Sequence, residues 1–164
     1  MDNRITFTSS EAQALTGVSA FVQRDWRRNG FMASGDRGWT RYTIEDLCRL
    51  HLFNTFTQSG MGPSRCGRMV DRLVPRLAEL VNGICAGTPQ QTDAVAVIWA
   101  NGDIGEYSGL QDAFTGATDD QQAGAVTVIS LRVIGFPFGF KLREWLAMRN
   151  KGIALTHGLG AEID

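Results

Sequence analysis

The chain has 164 residues, of which 43% are hydrophobic and 20% charged, the balance of a globular protein and not of a disordered or fibrous one. No apolar run approaches the roughly 20 residues that a membrane-spanning helix needs, and the start MDNRITFTSS lacks the apolar core of a signal peptide, so a cytoplasmic protein is expected. The net charge of −1 hides an asymmetry: residues 1–80 carry 11 arginines and no lysine against 8 acidic residues, a net +3, while residues 81–164 carry 5 basic against 9 acidic residues, a net −4. A basic first half points to a polyanionic partner.

Thr8-Ser9-Ser10-Glu11 has the form of a capping box and opens a short helix that runs to about Leu15, before Gly17. Ser19 then restarts the chain as an N-cap for a second helix, Ala20 to Arg28. Helix, glycine-containing turn, helix is the spacing of a helix-turn-helix. At about 100° per residue, Val22 and Trp26 fall on one side of the second helix, with Gln23, Arg24, Arg27 and Arg28 spread over the other and Phe21 at the border. Arginine and glutamine are the side chains that bond guanine and adenine edges bidentately, and an aromatic ring can touch a thymine methyl.

After Asn29-Gly30, Phe31–Ala33 reads as a short strand, residues 34–38 as a glycine turn with Arg37 at its tip, and Trp39–Tyr42 as the returning strand of a small wing. Thr43-Ile44-Glu45-Asp46 is a second capping box, opening a helix to about Gln58 that is apolar nearly all round. Such a helix is buried on more than one side, so something beyond the head should cover it. The next helix begins near Pro63 with a stripe of Met69, Val70, Leu73, Val74, Leu77, Leu80, Val81 and Ile84, and Pro75 should kink or split it.

In their order, EAQALTGVS, VQRDWRRNGF, GWTRYTIEDLCRL and LFNTFTQSGM resemble the winged helix-turn-helix head of the MerR family, over about residues 6–70. Gly17, Val18, Ser19, Arg24, Trp26, Gly30, Trp39, Tyr42, Asp46, Leu47, Leu50 and Gly60 fall in register without gaps. The resemblance implies that Ser19, Phe21, Gln23, Arg24, Arg27 and Arg28 enter the major groove, while Arg37, Thr40, Arg41 and Tyr42 hold the flanking phosphate backbone. Thr40 stands where the family has an arginine, and Arg41 either takes over that contact or points to the other face of the strand. Gln13 stands where the family favours a small residue. The partners implied are double-stranded DNA, a second copy of the chain and RNA polymerase, with a small-molecule effector admitted but not identified and association with the bacterial nucleoid. The family's long dimerising coiled coil has no counterpart, because Gly83, Gly87 and Pro89 end the helical signal.

Residues 87–93 read as a linker to a small α+β unit, so the expected domains are 1–86 and 87–164, the second serving oligomerisation or effector binding. Ala94–Ala100 and Ile104–Ser108 form a hairpin around Asn101-Gly102-Asp103, and Leu110 to Gly124 is a looser segment. Val126–Ile134 is the longest strand candidate, Gly135–Gly139 turns the chain, and Phe140–Asn150 forms a helix before a tail. The overall fold class is α+β.

Cys48, Cys66 and Cys85 are too few and too widely spaced for a disulfide framework, and Cys48-x-x-His51 reads as core although its spacing suits a metal. No nucleophile–base pattern or phosphate-cradling loop appears, so neither an enzyme, a cofactor nor a metal site is expected. The function expected is a sequence-specific transcription regulator. The alternative is an architectural or recombination accessory protein, excisionase-like or from phage packaging, using the same head.

Overall fold

The computed structural model of the chain describes residues 5–32, 41–88, 95–99, 104–119 and 127–151. The fold is α+β: helices α1 (Ser9–Thr16), α2 (Ala20–Arg28), α3 (Ile44–Gln58) and α4 (Pro63–Ala86) precede strands β1 (Val95–Ile98) and β2 (Ile104–Tyr107), then α5 (Leu110–Asp119), β3 (Thr127–Ser130) and α6 (Leu131–Asn150). Both capping boxes form as read. Thr8 and Glu11 exchange side-chain and backbone bonds at the start of α1, as do Thr43 and Asp46 at the start of α3. Gly17 ends α1 at φ 76°, a left-handed conformation that any side chain would strain.

α3 buries Leu47, Cys48, Leu50, Leu52, Phe53 and Phe56, and the cover its all-round apolarity demands comes from α1, α4 and α6. α4 runs unbroken through Pro75, which sits on its exposed side. Proline there removes the N–H that would bond the Asp71 carbonyl, and Asp71 is itself exposed, so the helix loses one bond without exposing its packed stripe. That stripe, from Met69 to Ile84, is wholly buried between α3 and α6.

The three strands form an antiparallel sheet in the order β2-β1-β3, with Val95 opposite both Tyr107 and Ser130. β1 is buried on both faces. Val95 and Val97 pack with Ala113 of α5, while Ala96 and Ile98 join the main core with α4 and α6. The first ten residues of the segment expected to be loose are therefore a helix, opened by Ser108 Oγ donating to Asp112 Oδ2 at 2.6 Å. The hairpin turn at 101–103 and the tail from 152 lie outside the described residues.

The largest departure from the sequence reading is at residues 131–139. The strand expected over Val126–Ile134 stops at Ser130, whose hydroxyl accepts from Val133 N at 3.3 Å and so caps α6. Gly135 to Gly139, expected to turn the chain, is the second turn of that helix. A Cβ on Gly135 would stand 2.7 Å from Leu77 Cδ1 and Leu80 Cδ2, and one on Gly139 would stand 2.7 Å from Ile84 Cδ1. The two glycines, one turn apart, let α6 settle against α4 so closely that any added Cβ would force Leu77, Leu80 or Ile84 to shift, and this contact overrides the local β-branched run. The main hydrophobic core reaches from Phe7 and Leu15 through α3 and α4 to Phe138, Leu142 and Trp145 of α6.

Candidate nucleic-acid interface

The helix-turn-helix is locked by its own polar side chains. Ser19 Oγ accepts from Val22 N at 3.3 Å, and Gln13 Oε1 accepts from Ala20 N at 3.1 Å, so two of the free N–H groups at the start of α2 are satisfied from outside the helix. Gln13, the departure from the family pattern, is thus a cap for the second helix. Asn54 of α3 donates to the Thr16 carbonyl at 3.1 Å and holds the end of α1.

Gln23 corrects the sequence reading. Expected among the base-reading side chains, it is fully buried. Its amide donates to the carbonyls of Val18 at 2.8 Å and Ser9 at 3.1 Å, and its oxygen accepts from Ser9 Oγ at 2.6 Å. On the helical wheel Gln23 lies about 60° from Trp26, on the packed arc. With its amide committed to α1 and the turn, it has no group left for a base edge.

The face of α2 that remains open carries Phe21, Arg24 and Arg28. Phe21 is 72% exposed, an unusual state for a phenylalanine, and Arg24 and Arg28 are exposed with no partner among the described residues. Arg27 is half-buried and donates to the hydroxyl of Tyr42, its guanidinium carbon 5.5 Å from the ring centroid. Tyr42 is itself buried; desolvation lifts its phenol above the usual value, with the Arg27 charge pulling the other way. Expected on the phosphate backbone, the Tyr42 ring instead orients Arg27 from behind. Its backbone makes an antiparallel bridge with Phe7, with N–H···O bonds of 2.8 and 2.9 Å. Phe31 and Met32, read as the first strand of a wing, form a bend, with Met32 buried and the Phe31 ring tilted against Phe53, centroids 5.9 Å apart. Arg41 is exposed beside Tyr42, while Arg37 and Thr40 lie outside the described residues. Trp26 is core, 5.4 Å from Phe53.

The second half supports this head from behind and supplies the cover that the all-round apolarity of α3 called for. Lys141 Nζ of α6 donates to the carbonyls of Ala14 at 2.7 Å and Leu15 at 3.2 Å, a cation on the negative end of α1. Arg149 donates to the Thr6 carbonyl at 3.1 Å, and Trp145 packs 5.3 Å from Phe7. His51 of α3 stacks on Phe138 at 4.6 Å and 13°, with Nε2 donating to the Ile134 carbonyl at 3.2 Å. Burial, with a smaller push from Lys141, holds its imidazole below the usual range, while the Ile134 bond acts the other way. Cys48 is buried beside it in sequence, and its thiol is pushed far up by desolvation, which fits the core role read for the pair.

Two helices at a glycine turn, the second presenting arginines from a face its packing leaves free, define a helix-turn-helix head. Residues 7–73 match the family model described as MerR HTH family regulatory protein, in agreement with the resemblance read from the motifs. Over those residues the head is a MerR-type helix-turn-helix module. A comparison with curated proteins returns no match. Among the described residues, no helix is long and apolar enough to cross a membrane.

Proposed function

We propose that the protein is a sequence-specific DNA-binding regulator, a binding protein and not an enzyme, that sets α2 into the major groove and works as a dimer or higher oligomer. The observation that carries this reading is the open face of α2: Phe21 and Arg24, with Arg28 beside them, project from a helix whose opposite face is clamped by Gln23 and Trp26. Arg24 and Arg28 read base edges, Phe21 meets a thymine methyl, and Ser19 and Arg27 contact the backbone or flanking bases. Arg41, with Arg37 and Thr40, grips the adjacent phosphates. Residues 1–86 carry this reading head, and residues 87–164 hold it and assemble copies of it, so that two heads meet half-sites about 34 Å apart. RNA polymerase is the further partner expected of such a regulator.

A gel-shift series over salt tests the reading. The logarithm of the affinity should fall with that of salt by about 0.9 per neutralised phosphate. Arg24→Ala should relax sequence preference at one position, and unchanged affinity and preference would remove α2 from the groove. The accessory reading keeps one specific support: the dimerising coiled coil that the family places after the head has no counterpart, since α4 ends at Ala86 and its apolar stripe is already covered within the chain by α3 and α6. Footprints separate the two, a single promoter site favouring a regulator and arrayed sites at element ends an architectural protein.

A further inference from the structure

The outer side of α6 carries an exposed apolar stripe. Val133, Phe136, Pro137 and Phe140 recur at helical spacing on the face away from Gly135, Gly139 and Leu142, all three of which are buried. Val133 is 74% exposed and Phe140 47%, and the half-buried ring of Phe136 stands edge-on to that of Phe140, centroids 6.0 Å apart. A lone exposed apolar side chain needs no explanation, but a contiguous stripe of them points to a partner. α4 is not open to one, because α3 and α6 cover its apolar stripe.

The charges beside the stripe choose the partner. The guanidinium of Arg132 lies over the Phe136 ring, 4.9 Å from its centroid. Glu144, exposed and with no partner among the described residues, continues the stripe one turn beyond Phe140. Phe136 and Phe140 are symmetric about position 138, and so are Arg132 and Glu144. A two-fold interface demands this kind of pattern, since where residue i meets residue j, j also meets i. Two α6 helices laid antiparallel and centred at 138 bring Phe136 of each copy opposite Phe140 of the other. The same register sets each Arg132 level with the Glu144 of the other copy. A parallel pair would instead set Arg132 beside Arg132 and Glu144 beside Glu144.

We propose that the chain pairs with a second copy of itself through the outer face of α6, the two helices antiparallel and crossing near position 138. The inference rests on the oligomeric reading above and names its surface. Because Lys141 and Arg149 tie α6 to the head, a pair of α6 helices joins two heads through packed elements. The contact is small, so the dimer is weak, with a Kd on the order of 10 μM.

Sedimentation velocity of the full chain over a concentration series tests the proposal. The native chain should pass from monomer to dimer, and Phe140→Asp should weaken pairing more than about tenfold by setting a carboxylate against Phe136. Arg132→Glu and Glu144→Arg should each weaken it about tenfold, since each sets two like-charged pairs across the two-fold axis. The double variant should recover most of the native affinity, which damage to the fold or a contact elsewhere would not allow. All four positions lie on the surface or beside it, and circular dichroism checks the fold of each variant. A dimer indifferent to Phe140→Asp, or charge changes without recovery in the double variant, would overturn this surface and leave the oligomeric reading standing. A chain monomeric to about ten times the expected Kd would overturn both and give the stripe to another occupant, while the gel-shift series still tests DNA binding by the head.

Discussion

Gln23 of α2 and Ser9 of α1 hold each other from both ends: the Ser9 hydroxyl donates to Gln23 Oε1 at 2.6 Å, and Gln23 Nε2 donates back to the Ser9 carbonyl at 3.1 Å. This exchange fixes the angle between the two helices of the turn. Gln23→Ala removes three hydrogen bonds and opens a hole, and should destabilise the protein by about 2–4 kcal/mol in urea denaturation. Arg24→Ala, one residue on, should leave the urea midpoint unchanged and weaken binding to a specific site by about 1–3 kcal/mol. A stability loss at Arg24, or none at Gln23, would reverse the roles given to the two residues.

Glycine is a poor helix former, so replacing it by alanine in a helix ordinarily gains about 0.5–1 kcal/mol. Gly67 of α4 has open space around it, and Gly67→Ala should raise the melting temperature. Gly135→Ala and Gly139→Ala should lower it instead, because each new methyl lands 2.7 Å from a leucine or isoleucine methyl of α4 in a packed core. Overpacking of this kind costs about 1–3 kcal/mol and exceeds the propensity gain. Thermal unfolding of the three variants side by side gives the comparison.

The depressed imidazole of His51 makes stability depend on acid. A base whose folded value lies below its unfolded one takes up protons more readily when unfolded, so stability is complete above the unfolded value and falls as pH drops below about 6.5. His51→Phe keeps a ring for Phe138 to stack on and loses the proton. Urea midpoints measured between pH 7.5 and 5 should decline for the native chain and decline less for the variant.

Lys141 touches only backbone of the head, yet it caps the end of α1. Lys141→Met should cost about 0.5–1 kcal/mol in stability and speed amide exchange near Leu15 to Gly17. It should also weaken DNA binding slightly without altering which sequence is preferred. A changed preference would place Lys141 in the interface itself.

Much of the head was legible because its signals are local. Thr8 with Glu11, Ser19, and Thr43 with Asp46 mark helix starts by bonds made within three residues, and α2 and α3 fall on the bounds those caps imply. The all-round apolarity of α3 also said that a cover was missing, without saying which element supplied it. Gln23 misled because its polarity suggested an exposed role, and what buries it is Ser9 on another helix. Residues 131–139 misled more deeply. Val133 and Ile134 favour a strand, and Gly135-Phe136-Pro137 reads as a turn, but the deciding neighbours are Leu77, Leu80 and Ile84, far upstream. The open face of α2 was visible in type, three arginines and a phenylalanine, and only the packing showed which of them Tyr42 holds.

The seating of α6 against α1 bears on the order of events during synthesis. Arg149 bonds the carbonyl of Thr6 across 143 residues, and Lys141 bonds that of Ala14 across 127. A nascent chain that has emerged only as far as α4 holds α2 but leaves Phe7, His51 and the α6 side of the α4 stripe uncovered. The packing of the head is then finished last although its helices are made first, once nearly all of the described chain is free to fold.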